Sequence, residues 1–276
     1  MDISQLGIGS FAYRYQAGFP GCMPDAPLTP LSFIDDVQRL GLKRLQLCEN
    51  IRYADSDTKA IGVMVNRVKE LGLAVEIGMN GVTRENLRKH IKLAKEFESK
   101  FIRSVIGVMD PDENKAVPII VQNIKSVLNE LRDNEISLGL ENYFDNSTQQ
   151  IVQVIKDVND PLVGSVFDST NCIGFIERPM DALALMLPHI KSMHLKDYRM
   201  VKTEAGITMV GQVLGQGVLD VKAILKKVLA MNPQASIIIE LTIKRTDGLS
   251  VTEVIEEEKR HIVKSVEYAK KVCTQL

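Results

Sequence analysis

Eight short apolar runs, each followed by a longer stretch of helical periodicity, constrain this chain more than any other feature. The runs are Leu6–Tyr13, Arg44–Glu49, Ala74–Met79, Phe101–Gly107, Ser137–Asn142, Val163–Ser169, Ile190–Asp197 and Ser236–Thr242. Several are apolar without alternation, the pattern of strands covered on both faces of a parallel sheet. Between them, Asp57–Leu71 sets Ile61, Met64, Val65, Val68 and Leu71 on one helical face. Val117–Leu131 does the same with Ile120, Ile124, Val127, Leu128 and Leu131, and Val221–Met231 and Val251–Val272 repeat the pattern. Gly41 and Gly72, each between leucines, read as helix ends that run into the next strand. Asp145, Asn146 and Ser147 read as caps for the helix that follows.

Eight β units and eight helices in 276 residues predict one α/β domain, a single (β/α)8 TIM barrel spanning residues 1–276. Such barrels commonly run to about 250 residues. A doubly wound sheet is the alternative, but no G-x-G-x-x-G turn follows the first run. Hydrophobic residues make up 45%, enough for a sizeable core. The formal net charge of −1 supplies no global field for nucleic acid or an anionic membrane, and no basic stripe tracks phosphates. No apolar stretch is long enough to cross a bilayer. The four cysteines form no C-x-x-C pair and read as free thiols of a reducing compartment. The start, Met1 to Gln5, lacks the basic and apolar regions of a signal peptide. A soluble cytoplasmic protein is therefore expected, with no nucleic-acid or membrane partner.

Four of the last four strands' endings carry charge or imidazole: Glu141, Asp168, His194 and Glu240. A lone strand-end glutamate is ordinarily a solvated loop charge, and a lone histidine an ordinary core or rim residue. Four on successive strands is a different matter, because a barrel gathers its C-terminal strand ends on one face. Three carboxylates brought together there repel one another unless a cation sits between them. The donor set is hard, and it suits Mn²⁺ first, then Mg²⁺ or Co²⁺, with Zn²⁺ possible.

Other residues join this face by position. Lys196 stands two residues after His194, on the same side of the strand. It is either a surface lysine or a cation that binds a substrate carboxylate or protonates a departing oxygen. Arg103 lies in the fourth run and Arg199 just past the seventh. Arg103 is expected in a structural ion pair or as a substrate clamp, since a buried arginine needs a partner. Phe11, Tyr13, Glu49 and Asn50 end the first two runs and are expected to shape the pocket. His90 and His261 read as exposed helix residues. The loops Ala17–Pro30, Asp110–Ala116 and Met200–Gly217 are expected to carry specificity.

The segments Gly139-Leu140-Glu141-Asn142, Val166-Phe167-Asp168-Ser169-Thr170-Asn171, His194-Leu195-Lys196-Asp197 and Ile239-Glu240-Leu241 resemble the xylose isomerase-like barrel superfamily of sugar phosphate isomerases and epimerases. Leu214-Gly215-Gln216-Gly217-Val218-Leu219-Asp220 is similar to the G-x-G-x-x-D turn that such proteins place before their last crossover helix. The resemblance implies that Glu141, Asp168, His194 and Glu240 hold one divalent ion. It also implies that Glu141 and Glu240 are the acid/base pair for proton transfer through a metal-bound enediolate of a keto-sugar or sugar acid. Sugar 3-epimerases of the superfamily often carry a histidine three residues after the metal aspartate; Asn171 stands there, at a substrate-binding position. The run from His194 to Gly217 is similar to members acting on oxidised sugars, among them 3-oxo-isoapionate decarboxylases. A lyase, decarboxylase or dehydratase is the alternative to an isomerase. Endonuclease IV shares the barrel, but its three-zinc cluster needs many histidines and only four exist here. Relatives of this barrel often pair, so a homodimer or higher homo-oligomer stays open.

Overall fold

The computed structural model describes residues 2–107 and 113–276. Of the expected specificity loop Asp110–Ala116, residues 110–112 lie outside the described residues. Eight parallel strands close into a barrel: β1 (Leu6–Gly9), β2 (Arg44–Leu47), β3 (Ala74–Asn80), β4 (Phe101–Val105), β5 (Ser137–Glu141), β6 (Val163–Asp168), β7 (Ile190–Leu195) and β10 (Ser236–Ile239). β10 closes the ring between β7 and β1. β8 (Asp197–Thr203) and β9 (Gly206–Gln212) form a separate antiparallel hairpin that follows β7. All eight expected strands are present, and the (β/α)8 barrel is the fold.

The helices are α1 (Arg14–Ala17), α2 (Pro30–Arg39), α3 (Thr58–Leu71), α4 (Arg84–Glu96), α5 (Glu113–Lys125), α6 (Leu128–Asp133), α7 (Thr148–Val158), α8 (Pro179–Met186), α9 (Val221–Met231) and α10 (Val251–Cys273). Their ends follow local chemistry. Thr29 with Ser32, Ser147 with Gln150 and Ser250 with Glu253 make reciprocal capping boxes at α2, α7 and α10. Gly41 and Gly72 take φ of 63° and 60°, as a helix stop requires. The expected continuous helix Val117–Leu131 is instead two, α5 and α6, broken around Ser126 and Val127. The apolar stripe hides the break, because Ile124, Val127 and Leu131 are all buried across it.

β1 ends at Gly9, short of the expected Tyr13, and Ser10–Tyr13 turns in a 3₁₀ helix towards α1. Ser10 holds the turn: its hydroxyl donates to Asn50 Oδ1 and accepts from the Cys48 N–H, knitting the loops after β1 and β2 together. The core fills the barrel and the layer between barrel and helices. Inside, small residues make room for large neighbours; a Cβ on Gly139 would lie 2.4 Å from Phe101, and one on Gly9 3.1 Å from Glu240 Oε1.

The hairpin is tied back by one carboxylate. Asp197 Oδ2 accepts from the Gly215 and Gly217 N–H groups at 3.0 and 2.9 Å, and Oδ1 accepts from Leu219 N–H at 3.2 Å. A Cβ on Gly217 would sit 2.0 Å from Asp197 Oδ1, so only glycine fits. Asp220 then caps α9. The G-x-G-x-x-D segment is thus a backbone nest closed around Asp197. Among the described residues, no helix is long and apolar enough to cross a membrane.

Candidate metal centre and active site

Glu141 is the last residue of β5, Asp168 the last of β6, and His194 the next to last of β7. Asp168 and His194 are register partners, so their side chains leave the sheet side by side. Glu240 follows β10 directly. All four are buried. His194 Nδ1 lies 3.2 Å from Glu141 Oε1, 3.4 Å from Glu240 Oε1 and 4.0 Å from Asp168 Oδ2.

Those spacings fit donors around a shared ion. With bonds of about 2.1 Å, ligand atoms stand roughly 3.0–4.2 Å apart. Neither ring nitrogen of His194 makes a hydrogen bond, and Glu240 Oε1 is buried without one. A buried polar atom without a partner is costly, and a cation bound among these donors would satisfy them. Glu141, Asp168 and His194 each place one donor atom within 4.8 Å of the others, a group that can hold a metal ion. Glu240 approaches this trio through His194.

Two cations share the floor. Arg103 Nε donates to Glu141 Oε2, and its guanidinium lies 5.8 Å from the Phe11 ring centroid. Lys196 Nζ lies 2.7 Å from Asp168 Oδ2 and 3.0 Å from Glu240 Oε2. Burial disfavours the charge on Glu141, but Arg103, His194 and Lys196 outweigh it and hold the carboxyl well below its usual range. Burial also works against the charge on Lys196, yet Asp168, Glu240 and Glu141 hold the ammonium above the usual lysine range. These contacts favour the ammonium form of Lys196.

The remaining Asp168 oxygen, Oδ1, accepts from Thr170 N–H, Thr170 Oγ1 and Asn171 N–H. Asn171 Nδ2 donates to Glu141 Oε1 at 3.1 Å and to the Asn142 carbonyl. Asn142 in turn accepts the Asp168 N–H. Asn171 is thus buried beside the candidate ligands and orients Glu141.

Above this floor opens a cleft of about 390 Å³, lined by Phe11, Arg14, Phe19, Glu49, Asn50, Asn80, Arg103, Val105, Tyr143, Phe144, Lys196, Glu240 and Thr242 among others. Glu49, Arg103, Lys196 and Glu240 meet there as expected. Tyr13 does not: it is fully buried and packs edge-on against Phe33, 5.2 Å between centroids, as a link between barrel and α2. Arg199 is exposed on the hairpin and is not among the cleft residues. His90 is buried, not exposed, with Nδ1 2.8 Å from the Asn86 carbonyl. It stands three residues after Leu87 on the apolar stripe of α4, a signal masked by its charged neighbours. Arg14, Tyr143 and Phe144 escaped the sequence reading. Arg14 of α1 stacks at 4.6 Å over Phe19, which lies on the expected specificity loop Ala17–Pro30.

The sequence model of the family described as xylose isomerase-like TIM barrel matches residues 34–271. A 3-oxo-isoapionate decarboxylase of Pectobacterium atrosepticum is 24% identical over 223 residues, which cover 79% of this chain and 78% of that protein. A solved D-psicose 3-epimerase, determined in the presence of D-fructose, superposes with a TM-score of 0.73 at 14% identity, covering 94% of this chain and 97% of the other. A xylose isomerase-like TIM barrel protein of Mycobacterium smegmatis, in complex with magnesium, superposes with a TM-score of 0.67 at 18% identity, covering 94% and 96%.

Proposed function

The chain belongs to the xylose isomerase-like TIM barrel family, and from that premise we propose that it is a divalent-metal-dependent isomerase or epimerase of a small keto-sugar or sugar acid. One observation carries the reading. Glu141, Asp168 and His194 converge within one ion's reach, with Glu240 3.4 Å from the imidazole and itself lining the cleft. The donors, three carboxylates to one imidazole, favour Mn²⁺ over softer ions, with Mg²⁺, Co²⁺ and Zn²⁺ as substitutes. When bound, the ion supplies electrostatic stabilisation of an oxyanion that develops on the substrate.

The chain's own groups do the rest. Glu240 lines the cleft and has one oxygen without a hydrogen bond, so it is the group placed to take a proton from a bound sugar. Glu141 is the second member of the acid/base pair. Arg103 and Asn171 already hold its oxygens, so proton return from it requires one of those bonds to open. Phe11, Phe19, Tyr143 and Phe144 supply apolar surface to the cleft in which a substrate would lie. Four cysteines, all buried and unpaired, support a cytoplasmic setting.

A second reading keeps the same floor and breaks a bond instead, as a decarboxylase or dehydratase of an oxidised sugar. Lys196 in the cleft wall is available to it as a partner for the acidic group of such a substrate. The similarity to a named decarboxylase supports it too. Incubation with keto-sugars and oxidised sugars in D₂O with Mn²⁺ separates the two. Deuterium in recovered sugar identifies proton transfer, and released CO₂ identifies decarboxylation. Neither signal, in a protein that also fails to take up Mn²⁺, would defeat both readings.

A further inference from the structure

We infer that Lys196 is the resident counter-ion of the metal site, a positioning residue that limits how tightly the divalent ion is held and, once the ion is in place, receives an anionic group of the substrate. The inference rests on the metal-dependent reading above. Its ground is the placement of one ammonium group. Lys196 Nζ bridges Asp168 Oδ2 and Glu240 Oε2 at 2.7 and 3.0 Å, and the side chain is buried. Of the four expected ligands, the three that already converge are Glu141, Asp168 and His194. Glu240, the fourth, has its other oxygen on Lys196. The lysine therefore occupies the Asp168–Glu240 edge of the carboxylate basket.

The placement is built, not incidental. Ser169 directly follows the ligand Asp168, and Lys196 stands two residues after the ligand His194. Ser169 Oγ donates to the Lys196 carbonyl at 2.8 Å and accepts from the Lys196 N–H at 2.9 Å. The connection from β6 thus pins the lysine backbone from both sides, next to the ligand it serves.

Charge decides what this arrangement does. Glu141, Asp168 and Glu240 face Arg103 and Lys196, so three negative groups meet two positive ones. The excess of one negative charge is modest, and the two carboxylates that Lys196 bridges stay together without an ion. An arriving divalent cation meets a fixed ammonium beside one of its ligands, which weakens its hold. With the ion seated, the floor carries one surplus positive charge, and Lys196 lines the cleft. A carboxylate-bearing substrate, a hydroxy or keto sugar acid, neutralises that surplus. Ion and anion then favour each other's binding, a coupling that is reciprocal.

The test is Mn²⁺ affinity, read from the electron paramagnetic resonance of free ion. Lys196→Gln should bind Mn²⁺ about tenfold or more tightly than the unaltered protein, and Lys196→Arg should not. Glycolate, a hydroxy acid small enough for any pocket shape, should tighten Mn²⁺ binding beyond its protein-free chelation; ethylene glycol should not. Lys196→Gln should lose the glycolate response. Equal or weaker Mn²⁺ binding by Lys196→Gln, or a glycolate response that survives in it, overturns the inference while leaving the metal reading intact. If that variant does not fold, equal responses of the unaltered protein to glycolate and ethylene glycol overturn it. No Mn²⁺ uptake by the unaltered protein removes the metal reading itself.

Discussion

Glu76 and Glu240 are both glutamates buried within the same barrel, yet their surroundings differ in the balance of charge. On β3, Glu76 Oε1 has Arg44 Nη1 at 3.2 Å and Oε2 has Gln46 Nε2 at 3.1 Å. One guanidinium and one amide fill both oxygens of one carboxylate. Asp197 is filled in the same way by backbone N–H groups of the turn it anchors. Glu240 instead shares one lysine with Asp168, keeps an oxygen without a hydrogen bond, and belongs to a group where carboxylates outnumber cations. Burying a carboxylate is costly unless it is paired and hydrogen-bonded. Saturated acids are therefore the barrel's fasteners, and the unsaturated group marks where the fold leaves room for a ligand.

The largest effect that tests this contrast is on catalysis. Glu240→Gln keeps the shape and removes the base, so turnover in whichever reaction the D₂O assay reveals should fall by about 10²–10⁴. The melting temperature of the metal-free protein should change little, because Lys196 keeps Asp168 as its partner. Near-normal turnover would remove Glu240 from the chemistry. The converse substitution, Glu76→Gln, should leave turnover and Mn²⁺ uptake unchanged and cost about 2 kcal/mol of stability in urea unfolding. That figure stays below the cost of breaking a wholly buried pair because Arg44 is 25% exposed. Lost Mn²⁺ uptake in Glu76→Gln would show that the two regions are not separable.

The same contrast explains what the sequence revealed. Strand-end identity made Glu141, Asp168, His194 and Glu240 legible, because a barrel converts position along a strand into a shared face. The eight strands were legible for a similar reason, their burial on both sides leaving continuous apolar runs. Pairing was not legible. Whether Arg103 clamps substrate or holds Glu141 depends on a neighbour 38 residues away, and the structure shows the ion pair and a place in the cleft wall together. Tyr13 misled because an aromatic at a strand end looks like a pocket wall, whereas the chain had already turned at Ser10 and sent the ring towards Phe33. Asp197 looked like the end of a strand; its role emerged only with the N–H groups of a turn about 20 residues on.

Glu258 on α10 is the intermediate case, and it sharpens the contrast through pH. Its carboxylate accepts from the Tyr15 and Gln16 N–H groups and from Gln16 Nε2, which fastens α10 to the start of α1, beside the cleft residues Arg14 and Phe19. Burial nevertheless outweighs these donors and raises its pKa above the ordinary 4.5. In the window just above 4.5 the folded protein then binds more protons at this site than the unfolded chain. The stability that Glu258 contributes is therefore complete below that value and is lost as pH rises through the raised one. Urea midpoints of the unaltered protein and Glu258→Gln, compared across this range, should differ most in favour of the unaltered protein at the acid end, and the difference should shrink towards neutrality. The opposite slope would mean that the N–H donors win over burial and that Glu258 is an ionised fastener of the same kind as Glu76.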